Sequence, residues 1–520
     1  MRPRSAITVV IAFLVPCYSA FGQGQAEEVR RALGRLEGPR VLIEQIPGTI
    51  ARAAAARGLS VTELGALEDR VDEAFDRYSE DRSGEAYRLL YSALAKALGR
   101  PWSKRDELWR SLHLRSESRI ADARGKATVW LAQLYPTDYQ LTSPLRLTAK
   151  LLEGEREERQ LGTFGPLPGD LIAVPFPFLV DLRGLESGAY RIVAELSEGS
   201  QVLHSVSLEI RIVEGIESAR EEVEDRLAEI AGFDSTRATV LYPFDFARQV
   251  NLGRRPPQGF DFAKEIAASL ALLDRLERGE DPLSGAKGTR KRHYFFAEAG
   301  EIMPYRLDVP EDYDAGRPSP LLVALHGNGG SEDMMMNALG GALKKAAAAE
   351  GYIAVSPLGY RPTGGYGAEG NAGRPYSPQR RHLTRLSELD VMNVVEIVRR
   401  EYNIDERRIY LLGGSMGGAG TWRIASRHPD IWAAIAPMCP GIMPAEVDFE
   451  GMRHIPVIVT HGDADITVPV ERSRAMVAAM KEHGMVHEYH EIPGGGHMIL
   501  GAGLEPSMAF LRRHTKEDSR

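Results

Sequence analysis

The sequence predicts an α/β fold for its C-terminal part: a mostly parallel sheet flanked by helices, preceded by a helical region and a small β-sandwich-like domain. Three observations predict it. Beyond residue 293, continuous apolar runs end in glycine-rich loops, as expected of strands buried on both faces. Residues 127–214 instead alternate apolar and polar, the period of a strand with one buried face. Residues 26–124 carry apolar groups at helical spacing. A chain of 520 residues exceeds a single core, so several domains are expected. The expected division is a signal peptide at 1–22, a helical region at 26–124, a β-sandwich-like domain at 127–214, a helical segment at 215–282, a linker at 283–292 and the C-terminal domain at 293–520.

The first segment has the form of a secretory signal. Arg2 and Arg4 precede the apolar run from Ala6 to Val15, and Ser19, Ala20 and Gly22 supply a small-residue cleavage region. Cleavage after Ala20 or Gly22 would leave a secreted or periplasmic protein. The run is too short for an ordinary membrane-spanning helix, and no membrane span is expected in the mature chain. Cys17 leaves a lipoprotein as a minor alternative, which Pro16 disfavours. Cys439 is the only other cysteine, and it reads as a buried structural thiol without a disulfide partner.

In the helical region Val71, Ala74, Phe75 and Tyr78 fall at i, i+3, i+4 and i+7, and Tyr87, Leu90, Tyr91 and Leu94 repeat the spacing. In the β-rich region Val206-Ser207-Leu208-Glu209-Ile210-Arg211-Ile212 alternates most clearly, and Gly165-Pro166 and Pro168-Gly169 supply turns. A sandwich of immunoglobulin-like type fits that pattern. The polar segment around Ser284-Gly285-Ala286-Lys287-Gly288 reads as the linker. Hydrophobic content of 43% and charged content of 26% are ordinary for a globular protein, and the net charge of −8 argues against a nucleic-acid partner.

The chemistry sits in the C-terminal domain. Ile409-Tyr410-Leu411-Leu412 runs into Gly413-Gly414-Ser415-Met416-Gly417, the G-x-S-x-G form of a strand-to-helix turn that lifts a serine hydroxyl above a sheet. Side chains at Gly413 or Gly417 would obstruct so tight a turn. Upstream, Leu321-Leu322-Val323-Ala324-Leu325 ends in His326-Gly327-Asn328-Gly329-Gly330, a loop suited to stabilising an oxyanion. Asn328 and Met416 are the candidate N–H donors, and His326 is expected to shape the loop. Downstream, one strand leads into His461-Gly462-Asp463-Ala464-Asp465 and another into Gly494-Gly495-Gly496-His497. The order Ser415, Asp465, His497, each just after a strand, is the order of nucleophile, acid and base in this architecture. Asp463 competes with Asp465, and His487, His490 and His514 compete with His497. The 359–385 segment, rich in Gly, Pro and Arg, shows no period and is expected over the catalytic edge of the sheet. It offers Tyr366, Tyr376, Arg381 and His382 as substrate-rim candidates, alongside Arg380. The string His461, Asp463, Asp465 lacks a complete metal-ligand set, there is no H-E-x-x-H, and the elbow lacks a phosphate-loop ending. Neither a metal nor an organic cofactor is expected.

From these motifs the C-terminal domain resembles the α/β-hydrolase superfamily. It is most similar to the polyhydroxybutyrate-depolymerase and feruloyl-esterase group, with prolyl-oligopeptidase-type catalytic domains nearby. Met303-Pro304-Tyr305-Arg306-Leu307 resembles the first strand of that group. Glu388-Leu389-Asp390-Val391 with Tyr402-Asn403-Ile404-Asp405 resembles its approach to the elbow. The spacing His461-Gly462-x-x-Asp465-x-x-Val468-Pro469 resembles its acid loop and favours Asp465. The resemblance covers somewhat less than half of the chain.

Taken together, the residues point to a secreted serine hydrolase that cleaves carboxylic esters through an acyl-enzyme, with a small-molecule or polymer ester as its partner. A serine peptidase of the prolyl-oligopeptidase type would use the same triad. The propeller usual in those peptidases should repeat every roughly 40–50 residues, and 26–290 shows no such period. A non-enzymatic polymer-binding envelope protein is the remaining alternative, against which the intact set of three residues argues.

Overall fold

A computed structural model describes residues 40–516 except 142, 256–258 and 372–373. The expected signal peptide, Cys17 and the start of the helical region lie outside the described residues. The chain divides into two compact units: one comprises the residues up to Glu229 together with Val240–Leu273, the other Ile230–Thr239 together with Asp274–Arg520.

The first unit opens with helices α1 (Arg40–Arg57), α2 (Val61–Ser79), α3 (Ser83–Ala97) and α4 (Lys104–Ser111). Ser60 caps α2 reciprocally. Its hydroxyl accepts from the Glu63 N–H, and the Glu63 carboxylate accepts the Ser60 N–H at 2.9 Å. The periodic faces meet as expected: Ala74, Tyr87 and Leu90 are buried in one cluster, with Val71, Phe75 and Tyr78 packed against it.

Strands follow: β1 (Leu112–Ser116), β2 (Ile120–Ala121), β3 (Lys126–Gln133), β4 (Leu145–Glu153), β5 (Arg156–Phe164), β6 (Phe176–Asp181), β7 (Gly188–Glu198) and β8 (Gln201–Ile212). They form two sheets, ordered β1-β3-β6 and β2-β8-β7-β4-β5. Val129, Leu131 and Phe178 from one sheet share a core with Leu147, Ala149 and Ile192 from the other. Burying each of the larger of these side chains, such as Leu131, Leu147 and Ile192, contributes about 1.5–3 kcal/mol relative to exposure. The β-rich region starts earlier than the expected 127, and the helices stop at Ser111 rather than 124. Leu112, Leu114 and Ser116 are buried alternately and pair antiparallel with β3, a five-residue period too short to stand out. Helices α5 (Ile216–Ala228), α6 (Asp234–Asn251) and α7 (Phe262–Glu277) come next, with α6 spanning the division between the units.

The second unit is built on β9 (Gly288–Phe296), β10 (Glu301–Val309), β11 (Ser319–Leu325), α8 (Met334–Ala349), β12 (Ile353–Pro357), a two-strand ribbon of β13 (Gly370–Asn371) and β14 (Arg374–Pro375), α9 (Pro378–Glu401), β15 (Ile404–Gly414), α10 (Met416–Arg427), β16 (Ala434–Met438), β17 (Val457–Gly462), α11 (Glu471–Glu482), β18 (His487–Ile492) and α12 (Leu500–Arg512). Eight strands form one sheet, ordered β18-β17-β16-β15-β11-β12-β10-β9. The run from β12 to β18 is parallel, and β10 is antiparallel to both its neighbours.

Alternate residues of the central strands enter two separate cores. Leu321, Val323, Ile409 and Leu411 meet Val394 of α9, Trp422 of α10 and Met476 of α11. Leu322, Ala324, Tyr410 and Leu412 meet Leu343 of α8 and Met508 of α12. Helices therefore cover both faces, which is why these strands read as unbroken apolar runs.

Two expectations need correction here. The polar 283–292 stretch is not a linker throughout, because β9 begins at Gly288 and pairs with β10 along its whole length. As the edge strand, β9 tolerates the polar run Thr289, Arg290 and Lys291, of which Lys291 pairs with Glu332 and Asp333. The 359–385 segment is not wholly irregular either. Ser377 caps α9 by accepting from the Arg380 N–H, and Pro378 occupies the first turn.

Candidate active site

The candidate residues all follow strand ends on one edge of the eight-stranded sheet. Ser415 joins β15 to α10 with φ 58° and ψ −118°, a strained conformation for a side chain-bearing residue. Its N–H donates to the Met438 carbonyl at 2.9 Å, tying the turn to the end of β16. A Cβ at Gly417 would stand 2.3 Å from the Leu325 carbonyl oxygen, so the missing side chain lets the end of β11 approach the turn.

His497 lies on the loop between β18 and α12. Its Nε2 is 2.9 Å from Ser415 Oγ, and its Nδ1 is 2.7 Å from Asp465 Oδ2. The Asp465 side chain is fully buried, whereas that of His497 is 18% exposed, which leaves the imidazole reachable from solvent. Asp465 Oδ1 accepts the N–H groups of Thr467 at 2.8 Å and Val468 at 2.9 Å. Burial opposes ionisation of this carboxylate, but the bonds from His497, Val468 and Thr467 outweigh it and hold its pKa below the usual value.

The competitors go elsewhere. Asp463 Oδ1 accepts the Gly494 N–H at 2.6 Å and so shapes the loop that carries His497. His487 contacts the Met485 carbonyl, and His490 sits beside Glu488. Tyr410 donates to the carbonyl of His514.

Around the candidate oxyanion loop, His326 is fully buried and its ring nitrogens lie 2.7 Å from the carbonyl oxygens of Gly327 and Leu358. The Gly329 N–H is taken by Pro362 and the Gly330 N–H by Gly327. Asn328 is exposed at the tip, and Met416 opens α10, where the first N–H groups have no partner within the helix.

Tyr366 is not a rim residue. It is fully buried, its ring stands edge-on to that of His326 at 5.9 Å, and its hydroxyl donates to the His326 carbonyl at 3.4 Å. A phenol on an aperiodic segment gives no sign of burial in sequence; here it fills the space under the His326 loop. Tyr376 is half-buried with the Arg380 guanidinium 3.4 Å over its ring, and Arg381 and His382 are exposed on the first turn of α9.

Three groups named in the sequence make contacts around the site that its pattern does not reveal. His461 contacts Asp465 at Oδ2, the oxygen that also meets His497. Cys439, buried as expected, donates its thiol to the His497 carbonyl at 3.3 Å, and burial pushes that thiol up to about 12. Asp390 on α9 accepts from Tyr294 Oη at 2.5 Å and from the Tyr360 N–H at 2.8 Å, so it anchors the 359–366 stretch. Burial pushes its carboxyl up to about 6 against the pull of those bonds. Spacing could have flagged only His461, four residues before Asp465. Among the described residues, one set of ligand-type atoms converges, that of Cys439, Asp465 and His497, all within 4.8 Å of one another.

Residues 297–479 match a family model described as "Putative esterase". A "Putative esterase NocK" from Nocardia uniformis subsp. tsuyamanensis is 34% identical over 180 residues, covering 33% of this chain and 48% of its own. Cutinase 2 from Thermobifida cellulosilytica is 31% identical over 124 residues, covering 22% of this chain and 45% of its own. The chain thus spans less than half the length of either curated relative. The crystal structure of a thermostable esterase aligns over 78% of this chain and all of its own, with 18% identity and a TM-score of 0.36. The family match falls within the unit whose mostly parallel sheet, covered on both faces, leads through the strained turn at Ser415 into α10, so the resemblance to esterases lies in the α/β unit that carries the candidate site.

Proposed function

We propose that the chain is an exported hydrolase of carboxylic esters that works through an acyl-enzyme on Ser415. The observation that carries this reading is the unbroken hydrogen-bonded line Ser415–His497–Asp465. Ser415 Oγ attacks the ester carbonyl carbon while His497 Nε2 takes its proton. The carbonyl oxygen gains the negative charge, and the N–H groups of Met416 and Asn328 are assigned to receive it. Collapse expels the alcohol, which leaves with the proton from His497. Water then attacks the acyl-enzyme by the same route, and the acid and Ser415 are released. Asp465 keeps the His497 ring oriented and supports its charged form.

The esterase and cutinase names of the relatives favour esters over peptide amides. Ile466 and Met498 directly follow the proposed acid and base, and each is 83% exposed. Apolar groups presented beside the site suit an ester with an apolar acyl or aryl part. Export rests on the charged start and short apolar core of the N-terminus.

The test combines a serine-directed fluorophosphonate probe with a panel of aryl esters, feruloyl esters, polyester oligomers and peptide amides. Labelling at Ser415 and turnover of at least one ester class are expected. A folded protein that neither reacts with the probe nor turns over any ester would refute the proposal.

A further inference from the structure

His461, near the end of β17, is fully buried and has no role in the scheme above. Its Nε2 lies 3.2 Å from Asp465 Oδ2, the same oxygen that meets His497 Nδ1 at 2.7 Å. It also lies 3.0 Å from the Val468 carbonyl oxygen. A carbonyl can only accept, so Nε2 carries the ring proton and donates. On the other side, Nδ1 lies 2.6 Å from the hydroxyl of Ser473, a buried residue in the first turn of α11. In the neutral ring Nδ1 accepts and Ser473 donates, so the tautomer is fixed from both sides.

Both oxygens of Asp465 are then fully engaged. Oδ1 takes two backbone N–H groups, and Oδ2 takes two imidazoles. We propose that His461, locked by Ser473 and Val468, is a positioning residue that pins Asp465 Oδ2 toward His497 and shares its charge between two rings. This assignment rests on the hydrolase reading of Ser415, His497 and Asp465.

Two consequences follow from the geometry. Without the His461 donor Oδ2 is held by His497 alone and the carboxylate is positioned less firmly, and small misplacement of a group that orients the base is costly. The charge on Oδ2 would also fall on His497 alone, favouring its protonated form, so the acid limb of the pH profile moves upward. Cys439 after β16 and Glu491 of β18 also face this line, and both stay unaltered in the test.

The deciding pair is His461→Gln against His461→Asn in the full chain. A glutamine amide nitrogen can occupy the Nε2 position, whereas that of asparagine is too short to reach Asp465. His461→Asn should lower kcat by about tenfold to a hundredfold. KM should stay within about twofold, and the acid limb of kcat/KM should shift upward. His461→Gln should recover most of kcat and the original limb, and Ser473→Ala should show a smaller loss in the same direction. The assignment is overturned if His461→Asn leaves both kcat and the limb unchanged, or if the two His461 variants are equally impaired. Should His461→Asn fail to fold, Ser473→Ala, which deletes one buried oxygen, decides by the same two readouts. Ser415→Ala assayed alongside separates the failures. Turnover by that variant sinks the hydrolase reading itself, whereas its inactivity beside a normal His461→Asn removes only the role of His461.

Discussion

Strands of the two units bury their side chains differently. β6 buries Phe176, Phe178 and Val180 and leaves Pro177, Leu179 and Asp181 partly exposed. Every residue of β12 and β16 is buried. A strand of the first kind serves a single core and keeps one face in water. A strand of the second kind has no free face, so its open end is where chemistry can be placed. His326 and Asp465 follow the buried strands β11 and β17, and Ser415 follows the buried second half of β15, whereas His497 follows β18, an edge strand in which no residue is buried. The difference separates a region whose side chains are spent on packing from one whose loops carry reactive groups.

Ser415→Ala strikes that separation hardest. Turnover should drop by roughly three to six orders of magnitude, with the fold retained by circular dichroism. Near-normal turnover would mean that the reactive group lies elsewhere. Next in size is Asp465→Asn, which presents the wrong hydrogen-bonding group to His497 and should cost about 10⁴ in kcat. Asp463→Asn should cost far less, because Asp463 bonds only the loop backbone at Gly494. The opposite ranking at matched thermal stability would reassign the acid.

Ile192→Ala probes the packing side. Ile192 is fully buried in the sandwich core, and its truncation should cost about 2–5 kcal/mol of unfolding free energy. The kcat on a small aryl ester should not change. A parallel fall in kcat of the folded variant would show that the sandwich core contributes to turnover after all.

The smallest effect concerns Asp390. Its folded pKa of about 6 lies above the ordinary carboxylate value, so the protonated form is favoured by folding. That contribution is complete below about pH 4 and is lost as pH rises through about 6, amounting to at most about 3 kcal/mol. Chemical denaturation of wild type and Asp390→Asn between pH 4 and 7 isolates it. A wild-type slope identical to that of the variant would show that Asp390 titrates normally.

Legibility in the sequence follows the same division. The covered sheet announced itself through apolar runs such as 321–325 and 409–412, and each loop after a run could be read for its chemistry. Asp465 was separable from Asp463 only through its spacing to Val468 and Pro469. Short alternation hid β1, and polar composition hid β9, because an edge strand need satisfy only one neighbour. Tyr366 was misplaced because nothing in an aperiodic segment tells a buried ring from an exposed one. Cys439 was missed as a neighbour of the site because its contact with His497 joins separate strand ends, whereas His461 stands four residues before Asp465 on the same strand end and its spacing could have flagged it.

The thiol of Cys439 has a practical consequence for inhibitor work. It contacts the backbone of both His497 and Ser415, and burial keeps it protonated. A maleimide or mercurial that reached it would wedge the His497 loop away from the serine and silence the enzyme. Thiol sensitivity would then imitate a cysteine hydrolase. Protection from such inactivation in Cys439→Ser, with fluorophosphonate labelling preserved, would expose the imitation.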